Sequence, residues 1–373
     1  MLPLDDIKVL DFSFHLPGPL ATLILAEAGA SVVKVERPDT GDELRLFPPA
    51  LDGESLGFTM LNRGKSSVAL DLKSPDAVAR LAPLIREADV VVEQFRPGVM
   101  DRLGLGYEAL RALNPRLIYC SITGYGQTGP DRSKTGHDLN YCAESGLLSL
   151  AGDADGTPVV PPTTVADIAG GSYPAVMSIL MALRKRDRFG EGAHLDISMS
   201  ANLFPLQYWA IAEMEATGRA PGPAASLLSG GSPRYTLYSA LDGRFIAAAP
   251  LENRFWEIFC NRIDLPIGLR EDTHDPSATR AAIQELIGRK TSQEWRSILA
   301  DDCCCSVVAT MDEALANPHF RAAGLFSGKA ATPSGREITA VDVPLPACLR
   351  TADTRRKAPS IGADNRTLLA PLP

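Results

Sequence analysis

The sequence predicts an α/β protein: a large domain built on a parallel sheet, followed by a smaller α+β domain. Three observations carry this. Short apolar runs of strand length alternate with Ala/Leu-rich helical stretches over the first two hundred or so residues. A Gly, Pro, Ala and Ser-rich stretch at 218–231 then interrupts the pattern. Beyond it, two strand-like runs flank Asp242-Gly243, the strongest short hairpin signal in the chain.

In chain order, residues 7–12 read as a strand, 15–19 as a turn, 20–28 as an apolar helix ended by Gly29, and 31–36 as a second strand. This βαβ unit continues with a helix at 75–87, a strand at 90–95, a helix at 107–113 and a strand at 117–122. Such alternation implies parallel strands with helices on both faces. A Gly/Pro/polar loop follows Tyr125, then a helix at 138–150, a Pro-rich loop at Pro161-Pro162, a long helix at 165–188, a strand at 194–199 and a helix through Trp209. Past the linker, strands at 234–238 and 244–249 precede helices at 253–263, 276–287 and 292–299. The tail mixes strand and loop around the basic cluster Arg355-Arg356-Lys357. The expected division is a large domain at 1–217, a linker at 218–231, a small domain at 232–318, and a segment at 319–373 returning to the large domain.

The 373 residues, 45% hydrophobic and 22% charged with Gly 31 and Pro 29, exclude collagen-like, coiled-coil and wholly disordered chains. A net charge of -8 leaves no broad basic footprint for nucleic acid or an anionic membrane, so any phosphate must be met by individual residues. The longest nearly apolar run, 173–183, is broken by Pro174 and Ser178 and falls short of the roughly 20 residues a bilayer requires. Without a basic, apolar leader at Met1–Asp6 or a terminal address at Leu372-Pro373, the cytoplasm is the expected compartment. Seven cysteines with no CxxC read as reduced thiols, and the run Cys303-Cys304-Cys305 receives no role.

The first βα turn carries Pro17-Gly18-Pro19 in place of a GxGxxG fingerprint, and its prolines remove backbone donors that a pyrophosphate needs. No Walker A, HExxH, GxSxG or His/Cys metal cluster occurs. Acid/base candidates stand instead at loop-to-helix junctions: His137, Asp167 and Glu252. Each has a plainer reading. Asp138 suits an N-cap, Asp167 a cap or first-turn charge, His137 a hydrogen-bonded structural ring, and Glu252 a first-turn acid favoured by the helix dipole.

Taken in order, the segments Val9-Leu10-Asp11, Pro17-Gly18-Pro19, Val33-Lys34-Val35-Glu36-Arg37-Pro38, Asn62-Arg63-Gly64-Lys65, Asp71-Leu72-Lys73, Phe95-Arg96-Pro97-Gly98 and Gly124-Tyr125-Gly126-Gln127-Thr128-Gly129-Pro130 resemble the family III CoA-transferase superfamily over nearly the whole chain. Gly136-His137-Asp138-Leu139-Asn140-Tyr141 is similar to its α-methylacyl-CoA racemase branch. The resemblance implies a Rossmann-like large domain, an interlocked homodimer and catalysis by Asp167. In racemases His137 would be the second base and Glu252 would orient it. Pro250 and Asn253 beside Glu252 depart from the racemase pattern. Arg37 and Arg96, with Lys65 and Lys134, would meet the phosphates of CoA, and the helix starting at Asp138 would offer N–H groups to an enolate oxygen. No cofactor is implied beyond the substrate's own CoA. Two other functions stay open: CoA transfer between acids through an aspartyl-CoA thioester, and non-catalytic binding of CoA thioesters.

Overall fold

Six parallel strands form the sheet on which the first unit of the chain is built. The computed structural model describes residues 1–153, 156–299, 302–353 and 355–369. In chain order the first unit runs β1 (Lys8–Phe12), α1 (Pro17–Glu27), β2 (Ser31–Glu36), α2 (Leu56–Asn62), β3 (Ser66–Ala69), α3 (Ala77–Glu87), β4 (Val90–Glu93), α4 (Tyr107–Leu113), β5 (Ile118–Thr123), α5 (Asp138–Glu144), a π-helical turn (Ala166–Ser172) continuing into α6 (Tyr173–Phe189), and β6 (Ala193–Ser198). The strand order is β3-β2-β1-β4-β5-β6, with Leu10 of β1 opposite Val33 on one side and Val91 on the other. This is the doubly wound order whose direction reverses between β1 and β4, where a crevice opens at the carboxyl ends of the strands.

The central strands are apolar on both faces, as strands covered by helices twice over must be: Val90, Val91 and Val92 are fully buried. α1 starts at Pro17, inside the expected turn, because proline at a first helical position gives up an N–H that has no intrahelical partner anyway. The edge strand β3 is absent from the expected elements. Its Ser-Ser-Val-Ala looks polar, yet Ser67 is buried and donates to Glu36 Oε1 at 2.7 Å, so the polarity is satisfied inside. The helix expected at 138–150 stops at Glu144. Gly146 at φ 82 turns the chain into a separate 3-10 turn, Leu147–Leu150.

A second unit comprises Gly146–Val160 and Leu206–Asn317, while Pro318 onward groups with the first. The helix α7 (Tyr208–Thr217), expected in the large domain, thus belongs to the second unit, as does the expected linker at 218–231. Its antiparallel sheet is β7 (Thr236–Ser239), β8 (Phe245–Ala248) and β9 (Cys305–Val307), turned at Gly243 with φ 76. Around it pack α8 (Asn253–Arg262), α9 (Pro276–Ile287) and α10 (Ser292–Ile298), which bury Trp256, Phe259, Ile283 and Trp295. All seven cysteines are unpaired.

The helical stretch Ala166–Phe189 is longer than the apolar run read from the sequence. It runs 24 residues, and an 18-residue window of it reaches a mean hydropathy of 1.3, which meets a span's requirements by length and composition. Ala175, Val176, Ile179 and Leu183 of it are nevertheless buried inside the first unit.

Candidate active site

The loop leaving β1 is fixed by buried charge. Asp11 accepts the N–H and hydroxyl of Ser13, the Thr22 hydroxyl at 2.6 Å and Lys65 Nζ at 3.0 Å. Lys34, equally buried, donates to Ser13 O at 2.7 Å and pairs with Asp42 at 2.8 Å. Burial pushes the Asp11 carboxyl up, but Lys34 and Lys65 outweigh it and hold the group well below the usual carboxylate range. The wall segment Phe14–Pro17 is therefore held by strong, water-excluded contacts.

That segment, the loop after β4 (Gln94–Pro97) and the end of β5 enclose a cavity of about 910 Å³. It lies at the carboxyl ends of β1, β4 and β5, beside the point where the strand order reverses. His137, Asp138 and Asp167 also line it.

Asp167 stands in the first turn of the π helix. The two glycines that follow allow that turn to sit against its neighbours. A Cβ on Gly170 would meet Met199 O at 2.4 Å, and one on Gly171 would meet Met199 and Pro17 at 3.1 Å. Ser172 adds a hydrogen bond to Pro17 O at 2.8 Å. The Asp167 N–H donates to Asp138 Oδ1 at 2.9 Å, and the Cys142 thiol faces the other oxygen of Asp138 at 3.7 Å. Asp138 thus ties the two catalytic candidates together. Burial, reinforced by the negative charge of Asp138, raises the Asp167 carboxyl to about 7.

His137, not Asp138, occupies the cap position of α5. Its backbone N–H donates to Asn140 Oδ1 at 3.0 Å and its carbonyl accepts from Asn140 N at 2.8 Å. Asp138 falls in the first turn, where its carboxylate accepts the Asp167 N–H while the residue also lines the cavity. Tyr141 closes the floor, its hydroxyl bonded to Gly136 O. Burial, then the nearby Asp167, pushes that phenol up to about 12, so it stays protonated.

The start of α1 offers no anion site. Pro17 and Pro19 lack donors, Gly18 N–H is taken by Gln94 Oε1 at 3.1 Å, and Leu20 N–H already closes the first helical bond to Leu16 O. Cationic side chains lie elsewhere. Arg96 and Lys134 line the large cavity, joined by Arg132, which the sequence reading passed over although it lies two residues before Lys134. Lys134 also pairs with Glu144 at 2.7 Å. Arg37, paired with Glu43 at 2.9 Å, borders a smaller recess of about 180 Å³ in which Phe12, Phe14, Leu70, Leu72 and Phe95 face Lys34, Glu36, Asp42 and Glu43.

Lys65 requires a correction. Its ammonium is fully buried against Asp11, Pro19 O, Thr22 and Asn62, and burial lowers its pKa to about 8. It is an internal strut and cannot reach a phosphate in solution. Glu252 lies in the second unit as the exposed cap residue of α8, and it does not line the cavity. His15, unremarked in the sequence, does. It hides among prolines in a turn, and only its left-handed backbone, φ 60, sets it apart.

A sequence profile described as CoA-transferase family III matches residues 4–365. Alpha-methylacyl-CoA racemase of Homo sapiens is 34% identical, covering 87% of this chain and 82% of its own. Acetyl-CoA:oxalate CoA-transferase of Acetobacter aceti is 35% identical, with 80% and 78% covered. Succinate--glutarate CoA-transferase of Agrobacterium fabrum is 33% identical, with 99% and 96% covered. Among solved structures, Rv3272 from M. tuberculosis superposes with a TM-score of 0.83 at 29% identity over 99% of both chains. A CAIB/BAIF family protein from Brucella suis does so at 0.79 and 28% over 98% of both.

Proposed function

This chain belongs to CoA-transferase family III, and from that premise we propose that it acts as an acyl-CoA racemase, inverting C2 of a 2-methylacyl-CoA by two-base proton transfer. The observation that carries this reading is the pairing of His137 and Asp167 in the wall of one cavity, with the Asp167 carboxyl near 7. A carboxyl in that range both gives and takes a proton near neutrality.

Neutral His137 removes the C2 proton from one face of the thioester. The bonding pair moves onto the carbonyl, giving an enolate. Protonated Asp167 returns a proton from the other face, the pair collapses back, and C2 is inverted. The reverse turnover uses Asp167 carboxylate as base and the imidazolium as acid. Both directions require one proton shared between the two groups, so the rate falls when both are protonated and when neither is.

Arg96 and Lys134, with Arg132 beside them, are cations available to the CoA phosphates. Arg37 stands at a recess with aromatic walls and a charged rim, of a size suited to a nucleobase. The scheme uses no cofactor beyond the substrate's own CoA. We further infer a homodimer, in which a second copy supplies Glu252 to orient His137. It is supported by the stripe Tyr173, Met177, Leu180 and Met181, exposed at helical spacing on α6. A monomeric mass by light scattering would reject it.

A second reading has a specific support, since relatives named as CoA-transferases match as well as the racemase. There Asp167 carboxylate attacks the donor thioester and expels CoA thiolate. The thiolate attacks the aspartyl carbonyl of the mixed anhydride, releasing the donor acid. The acceptor carboxylate then attacks the aspartyl-CoA thioester, and the thiolate regains an acyl group from the new anhydride as Asp167 is freed. His137 has no part in that sequence.

Mass spectrometry separates the readings. 2-Methylacyl-CoA and straight-chain acyl-CoA are incubated with the enzyme in D2O, with and without free carboxylic acids. Deuterium at C2 without an acceptor acid supports the racemase, and a His137→Ala enzyme that still racemised normally would reject the two-base assignment. New CoA esters formed only when acids are added, without exchange, would assign transfer. Neither product, with CoA thioesters still bound, would leave a non-catalytic binder.

A further inference from the structure

His15 is a polar residue of the cavity to which the proposed mechanism gives no role. Its ring lies between two aromatic edges, 5.3 Å from Phe14 at 77° and 5.5 Å from Phe47 at 74°, and all three residues line the cavity that holds His137 and Asp167. Its backbone sits at φ 60, which a residue bearing a Cβ adopts at a cost and which persists only where the surroundings impose it. Here they do. Asp42 Oδ1 accepts the His15 N–H at 3.1 Å, and Asp42 is itself paired with the fully buried Lys34. The imidazole is oriented from outside, with Nε2 3.2 Å from Glu43 Oε2. With Nε2 facing that carboxylate, Nδ1 is the ring nitrogen left with no protein partner among the described residues.

An apolar pocket with a few fixed polar groups uses them to orient its ligand. We propose that His15 is a ligand-binding residue of this cavity, its Nδ1 accepting a hydrogen bond from an N–H or O–H donor of the bound CoA thioester. The proposal rests on the reading that the cavity takes such thioesters. Donors of that kind lie in two places: the CoA moiety common to every such compound, with its pantetheine amides and hydroxyl, ribose hydroxyl and adenine amino group, and a hydroxyl on the acyl chain.

Titration calorimetry of CoA, butyryl-CoA and 3-hydroxybutyryl-CoA against wild type, His15→Gly and His15→Asn tests it. Glycine relieves the backbone and removes the ring. Asparagine tolerates the left-handed φ but withdraws the acceptor toward the main chain. His15→Gly should weaken binding about five- to tenfold, as loss of one neutral hydrogen bond does. An equal loss for all three ligands assigns a donor of the shared CoA moiety, and a loss confined to 3-hydroxybutyryl-CoA assigns the acyl hydroxyl. Unchanged affinity for all three overturns the proposal. If the glycine variant does not fold, His15→Asn decides by the same criterion, with a loss of about threefold or more expected. Deuterium exchange on the same wild-type sample keeps the two readings apart. Binding without exchange rejects the two-base mechanism and leaves the His15 contact standing, whereas no binding of any CoA ligand rejects both.

Discussion

Asp11 and Asp167 are both aspartates withdrawn from water in one unit of the chain, and burial drives both toward the protonated form. At Asp11 two lysine ammoniums and two hydroxyls answer it, and the carboxylate stays charged. At Asp167 the neighbouring charge is another carboxylate, Asp138, and the group titrates near 7. Depth of burial does not separate a structural ion from a chemical one. The company it keeps does: a saturated acid is a fixture, an undersupplied one is a reagent.

The sharpest way to break this contrast is Asp167→Asn. Inversion of C2 should fall by about a thousandfold or more, and CoA transfer equally, since both chemistries need that carboxyl, whereas exchange of the proton facing His137 can persist. An enzyme retaining a tenth of either activity would make Asp167 a bystander. The counterpart is Lys65→Met, which strips one cation from Asp11. Urea unfolding should show a loss of about 3–5 kcal/mol, the cost of leaving a buried charge half compensated. If exposure of Lys65 were what mattered, stability would hardly change and CoA affinity would drop instead.

The third prediction concerns pH. Between an unfolded value near 4 and the folded value of about 7, the native chain keeps a proton on Asp167 that the unfolded chain has released. Its contribution to stability is therefore fully present below about pH 4 and lost as pH rises through 7. Asp167→Asn, free of that penalty, should be more stable than wild type by about 1–3 kcal/mol at pH 8 and indistinguishable at pH 4. Asp11 runs the other way. Its folded pKa is depressed, so its contribution holds above about pH 4 and fades only as acid titrates the folded carboxylate. The smallest effect belongs to Asp138→Asn. Removing the second carboxylate should move the alkaline limb of the exchange profile to lower pH, because the Asp167 proton is then held less tightly. An unmoved limb would show that burial alone raises the group.

Much of the fold was legible because its strands are apolar on both faces. The runs at 8–12, 31–36 and 90–93 leave little choice, and α4 and α9 fall where periodicity puts them. What escaped was decided at long range. The edge strand β3 looks like a polar turn until Glu36 and Asp364 are seen to take up Ser67. The same holds in the site. His137 and Asp167 stood out at loop-to-helix junctions. Lys65 read as a cation for the CoA phosphates because its partner, Asp11, lies 54 residues away. The residues 146–160 group with the second unit although nothing in their composition separates them from their neighbours. His15 was invisible because a histidine's value there depends on a backbone angle, and residue order does not display angles.

The π turn at Ala166–Ser172 gives the Asp167 carboxyl an address measured in rotation. A wider turn carries one more residue per hydrogen-bonded loop than the helix it feeds, and α6 beyond it is anchored by its own buried face. Deleting Ala169 would return the segment to the ordinary helical period without disturbing that anchor. At about 100° per residue, Asp167 would swing to another bearing on the cylinder. The surplus residue works like the offset of a vernier scale, and insertions or deletions of a single codon in this turn would retune or silence the enzyme where substitutions elsewhere in α6 would only loosen it.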